Sequence, residues 1–158
     1  GVLRDAQATG RTMMTEFSSN TIVNQTPQMP TDLDAGPDGN VYVATYGNEI
    51  DVYNTTTGNW SYWARSTAGT NTVAIAMGAD GAAYVMPRQF TGKPWVLERV
   101  TPQGNNVVMT LPAEMESIDF LPDGRAAILD CNHRRLYIAD IAAESSSTLP
   151  TWTSFRSL

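Results

Sequence analysis

Cys131 and His133 place a thiol and the chain's single imidazole two residues apart, close enough to approach one metal ion together. Zinc takes about four such ligands, and the sequence holds no second cluster of this kind. The pair therefore reads as a half-buried structural thiol beside a loop histidine. One histidine set among arginines also gives no Ser–His–Asp arrangement, and no catalytic residue is assigned. Asp34 and Asp119 share a position, five residues before Gly39 and Gly124, where the intervening copy has Ala76. Carboxylates aligned in this way are hard oxygen ligands for a divalent cation. Two are too few for a site, so they remain weak metal candidates, and neither metal nor cofactor is expected. Arg88, Phe90 and Lys93 crowd cations and an aromatic ring into residues 87–94, and His133 and Arg134 add to that charge. This set suits binding rather than catalysis.

These residues must be positioned by something regular, and the sequence repeats. Asp38-Gly39, Asp80-Gly81 and Asp123-Gly124 recur 42 and 43 residues apart. Each follows an apolar stretch and precedes another: Val41-Tyr42-Val43, Ala83-Tyr84-Val85 and Ala127-Ile128-Leu129. Asp-Gly between two β-prone runs signals a hairpin, because glycine accepts the positive φ of the turn. A second ladder follows the first. Ile50 to Asn54, a turn ending at Gly58, and Trp60 to Trp63 match Val96 to Val100, a turn ending at Gly104, and Val107 to Leu111. The third copy runs from Leu136 to Ile141, through a Ser-rich loop, to Leu149–Phe155. Four short strands in each repeat of about 40 residues predict all-β propeller blades, over residues 31–64, 72–111 and 117–156.

Asp34 to Thr45 resembles the repeat of NHL, YVTN and SMP-30-like propellers, with an apolar strand, a Pro-Asp-Gly turn and a Val-Tyr-Val strand. Val41 to Trp63 is similar to the quinoprotein repeat, with its Thr-Gly turn and following Trp. The resemblance implies a propeller. It does not choose among the structural proteins, receptors, lactonases and dehydrogenases that share such repeats.

Residues 1–17 match the second half of a blade: Val2-Leu3 and Gly10 parallel Val96-Leu97 and Gly104. The chain is thus expected to hold about three and a half blades. That is short of a ring, since closed propellers have about four to eight. The missing strands must come from another chain or segment, because open blades leave apolar faces and strand edges bare.

Net charge −6 and a single lysine, Lys93, argue against nucleic acid, which needs a basic face. No apolar run is long enough for a membrane helix. Residues rich in Thr, Ser and Asn favour an extracellular or cell-envelope location. The reading is a non-catalytic ligand-binding or structural propeller segment, with a protein or glycan as ligand. The alternative is part of a propeller enzyme, lactonase-like or quinoprotein-like, whose active residues lie largely outside this chain.

Overall fold

A computed structural model describes residues 29–141 in full, together with the short strands at 3–4, 12–13 and 154–157. Among the described residues every regular element is a strand. The first pair is β1 (Leu3–Arg4) and β2 (Thr12–Met13), antiparallel with Leu3 opposite Met13. Three four-stranded antiparallel sheets follow, each in simple sequential order. They comprise β3 (Pro30–Ala35), β4 (Val41–Thr45), β5 (Glu49–Asn54) and β6 (Asn59–Arg65). Next come β7 (Asn71–Met77), β8 (Ala83–Arg88), β9 (Trp95–Thr101) and β10 (Gly104–Leu111). The last sheet has β11 (Ser117–Phe120), β12 (Ala126–Asp130), β13 (Arg135–Ala139) and β14 (Ser154–Ser157). These are three propeller blades, and the chain is a partial all-β propeller. The remaining residues of the expected half blade at 1–17, and the start of the expected outer strand at Leu149, lie outside the described residues.

Each blade turns from its first to its second strand at the Asp-Gly pair. Gly39, Gly81 and Gly124 have φ of 82°, 77° and 88°, the left-handed region that glycine enters without a Cβ penalty. Their N–H groups donate to the carbonyls of Gly36, Gly78 and Leu121 at 2.9–3.0 Å. The change from Gly to Leu in the third copy has a packing reason. A Cβ on Gly36 would lie 2.4 Å from Cε2 of Tyr42, and one on Gly78 would lie 2.7 Å from Cε2 of Tyr84. The tyrosine ring fills that space, and its hydroxyl donates to Asp38 at 2.9 Å or Asp80 at 3.3 Å. The third blade has Ala127 in place of the tyrosine, which frees the room that Leu121 takes. Its turn aspartate, Asp123, pairs with Arg125 instead, at 2.7 Å.

The cores lie between blades. Tyr42, Ala44, Ile50 and Ala64 of the first blade pack on Ile75, Met77, Ala83, Val85 and Val100 of the second. Leu97, Met109 and Leu111 of the second pack with Ile118, Ala126, Ile128 and Tyr137 of the third. Polar bonds reinforce the first of these joints. Asp32 and Asp34 accept the main-chain N–H groups of Ile75 (3.0 Å) and Met77 (2.7 Å), and Thr31 Oγ1 donates to the Thr72 carbonyl at 2.8 Å. The innermost strand of one blade is thereby stitched to the innermost strand of the next.

Candidate functional site

The loops joining second to third strands, and those joining one blade to the next, gather on one face because both leave the same ends of the strands. They are also bonded to one another. Asn48, at φ 68°, donates through Nδ2 to the Gly69 carbonyl at 2.7 Å. Thr70 N–H donates to the Arg88 carbonyl at 2.8 Å. Arg88 pairs with Glu114 at 3.2 Å, and Glu116 N–H donates to the Leu129 carbonyl at 3.0 Å. This chain of contacts runs from the first blade to the third.

Its most prominent feature is the loop after β8. Lys93 N–H donates to the Phe90 carbonyl at 3.0 Å, and Gly92 turns at φ 82°. The turn holds the Phe90 ring outward, 61% exposed, between Arg88 and Lys93 in the chain. Arg88 is engaged by Glu114, while Lys93 has no ion pair among the described residues. Tyr46 is exposed on the loop after β4.

On the third blade, the Asp130 side chain is buried and holds His133 from both sides. One carboxylate oxygen accepts the His133 N–H at 3.0 Å, and the other lies 2.8 Å from Nδ1. Burial pushes the Asp130 carboxyl up, but the two His133 contacts outweigh it and hold it below the usual range. Nδ1 is thus occupied and Nε2 is the ring atom left for a ligand or a proton. Cys131 corrects the expectation of a half-buried thiol: it is exposed. The Asp130–Arg134 turn carries it out of the sheet, with Arg134 at φ 55°. Its thiol pKa is raised by a hydrogen bond to Glu116, with slight burial and the charges of Glu116 and Asp130 adding to it. A raised thiol pKa opposes nucleophilic use.

The carboxylates suggested for metal have different occupations. Asp34 accepts two N–H groups, those of Ala35 and Met77. Asp119 accepts the Phe120 N–H at 2.8 Å. Among the described residues no three His, Cys, Asp or Glu side chains converge on a point that would hold an ion.

Two inward acids escape notice in the sequence. Glu98, 1% exposed in β9, accepts from Ser66 Oγ, from Thr67 N–H and Oγ1 (2.9 Å for the hydroxyl), and from Ala68 N–H. It anchors the loop between the first two blades. Asp51, 3% exposed in β5, is its counterpart one blade earlier. The signal was an acid inside the third strand of each of the first two blades, at a position where the alternation points inward.

No family model matches the sequence, and no curated protein matches it. Solved structures do. A putative oxidoreductase (glucose dehydrogenase) from Thermus thermophilus is similar at TM-score 0.50 and 20% identity, over 64% of this chain and 36% of that one. The RRP9 WD40 repeats align at TM-score 0.57 and 13% identity, over 87% of this chain and 41% of theirs. Kuenenia stuttgartiensis hydrazine synthase aligns at TM-score 0.54 and 16% identity, over 79% of this chain and 36% of that one. At such identities the likeness establishes the propeller fold alone. The chain spans about two-fifths of the length of these neighbours.

Proposed function

We propose that this chain forms part of a ligand-binding propeller whose recognition surface is the loop face carrying Arg88, Phe90, Lys93, His133 and Arg134. The observation that carries the reading is Phe90, an outward aromatic ring flanked by two cations on a loop of a rigid scaffold. Large exposed rings are informative where buried ones are not, and loops on rigid scaffolds are where recognition concentrates. An aromatic plane beside cations fits an anionic protein segment or an acidic glycan, through stacking and charge-assisted bonds. The Lys-poor, Ser/Thr/Asn-rich composition supports an extracellular or envelope setting, and the blades missing from a ring are supplied by a further segment or chain. The enzyme alternative draws on one feature, the Asp130–His133 pair, whose oriented imidazole would act with residues from those other blades. The test is an array of acidic peptides and sulfated or sialylated glycans probed with the chain, with Phe90→Ala and Lys93→Ala beside it. Binding reduced at least about tenfold by either substitution, with unchanged thermal unfolding, supports the reading. Binding indifferent to both, or absent throughout for the folded chain, overturns it.

A further inference from the structure

Asp34 and Asp119 occupy one position of the repeat, and each begins with the same bond. Oδ1 of Asp34 accepts the Ala35 N–H at 2.8 Å, and Oδ1 of Asp119 accepts the Phe120 N–H at 2.8 Å. Their cross-strand neighbours correspond as well, with Tyr42 opposite Asp34 and Ala127 opposite Asp119. The difference lies in the second oxygen. Oδ2 of Asp34 accepts the Met77 N–H, on the innermost strand of the next blade, at 2.7 Å. Oδ2 of Asp119 has no hydrogen-bond partner among the described residues, and the residue is exposed.

The sheet face on that side differs in the same sense. Tyr42, Ala44 and Ile50 of the first blade are buried under the second. Ala127, Leu129 and Leu136 stand in their places in the third blade, all apolar and all only half-buried. The described residues include no fourth blade to cover them, and contiguous apolar surface left open marks an interaction site. The third blade thus carries both parts of the joint between β3 and β7, the acceptor and the apolar row. Which strand fits there is decided by its donors. Met77 follows Ala76, whose side chain has no acceptor, so its N–H is open to a carboxylate from the blade before. Ala35 follows Asp34, which takes that N–H itself. The first blade of a second copy would bring Asp119 an N–H already engaged, whereas a blade built like the second brings a free one.

We propose that Asp119 and the apolar row of Ala127, Leu129 and Leu136 form the docking face for a further blade of the second blade's type. Oδ2 of Asp119 accepts a main-chain N–H of that blade's innermost strand, as Oδ2 of Asp34 accepts that of Met77. The partner strand has a small apolar residue just ahead of the donor, and it comes from another segment or chain rather than from the first blade of a second copy. The inference does not depend on the loop face being a binding surface.

The full chain extended after Leu158 by a second copy of residues 66–111, the second blade with the loop that leads into it, tests the assignment. In the extended chain the added copy's Met77 N–H is expected to be protected from exchange. Asp119→Asn is expected to speed that exchange about tenfold, the scale of a bond to a charged group. Asparagine keeps an oxygen for the Phe120 N–H, so in the unextended chain the same substitution is expected to change the folded-to-unfolded equilibrium constant less than about twofold. With Ala76→Asp in the added copy, the new carboxylate takes the N–H as Asp34 takes that of Ala35, and the effect of Asp119→Asn is expected to fall below about twofold. An NMR coupling across the hydrogen bond, between the added Met77 nitrogen and the Asp119 carboxylate carbon, gives a readout that needs no substitution. An unprotected Met77 N–H beside native Asp119, absence of that coupling, or an Asp119→Asn effect unchanged by Ala76→Asp would overturn the assignment.

Discussion

Replacing Glu98 by alanine removes the one acceptor shared by Ser66, Thr67 and Ala68. A hydrogen bond to a charged group contributes about 1.5–3 kcal/mol net. The four donors here compete for two oxygens on one side chain, so their contributions do not sum. Water reaches the loop once the acid is gone, and the hydroxyls then find other partners, but the Glu98 site itself is left as a cavity. The expected cost is about 3 kcal/mol, within the ~5–15 kcal/mol of a typical domain, so the variant folds. Glu98→Gln keeps one acceptor oxygen but turns an NH2 toward donors, and is expected to cost about half as much. With a urea dependence of about 1.5–2 kcal/mol per molar, the alanine midpoint falls by roughly 1.5–2 M and the glutamine midpoint by under about 1 M. Exchange at the Thr67 and Ala68 amides accelerates in both, while the third blade's amides are unaffected below global unfolding. An alanine shift below about 0.3 M, or acceleration spread evenly over all blades, would show that the loop is held by something other than Glu98.

The remaining expectations concern the turns and the two tuned acid sites, one facing a phenol and one an imidazole. Gly36→Ala costs more stability than Gly39→Ala in thermal unfolding, because the first collides with Tyr42 and Asp38 while the second has open space and loses only about 1 kcal/mol for its φ of 82°. Equal losses would contradict the ring-filling account. Burial, the hydrogen bond to Asp38 and that group's charge push the Tyr42 phenol up to about 12. Its folded pKa is raised, so the stability it contributes is complete below about pH 10 and fades as pH rises toward the folded value of about 12. Ultraviolet titration of Asp38→Asn should find one tyrosine ionising earlier. Asp130 is the opposite case, with its folded pKa lowered. The advantage of wild type over His133→Ala is therefore present above about pH 4 and vanishes as pH falls through the lower folded value. Acid unfolding that leaves the difference constant would refute the pairing.

The fold was legible because its turns are chemical. Gly39, Gly81 and Gly124 are forced by φ, and the apolar alternation beside them is forced by burial on both faces of a blade. The joint between blades was not legible in the same way. Asp34 lines up with Asp119 by position, which suggested a shared ligand, yet Asp34 bonds to a main-chain N–H 43 residues away. A carboxylate's partner is set by which strand packs beside it, and position within a repeat does not encode that. Glu98 and Asp51 were hidden for a related reason. Within a strand an inward acid looks like noise until the loop that reaches it is seen. Cys131 misled because a thiol beside an apolar strand usually packs, whereas the tight turn after Asp130 lifts it out.

The stitching of β3 to β7 has a bearing on how such a protein can change over time. Ile75 and Met77 follow Ala74 and Ala76, which have no carboxylate, so their N–H groups rely on Asp32 and Asp34 of the preceding blade. Phe120 follows Asp119 and satisfies its N–H within its own blade. The Met77 N–H thus depends on the preceding blade, whereas its counterpart in the third blade, that of Phe120, does not. Duplicating, deleting or shuffling blades of this kind is not neutral: a copy of the second blade inserted behind itself would meet Ala74 and Ala76 where it needs two acids, and its inner edge would be left bare. The alternation of acid and alanine on the innermost strands therefore acts as a grammar of blade order, written in side chains but read by the backbone.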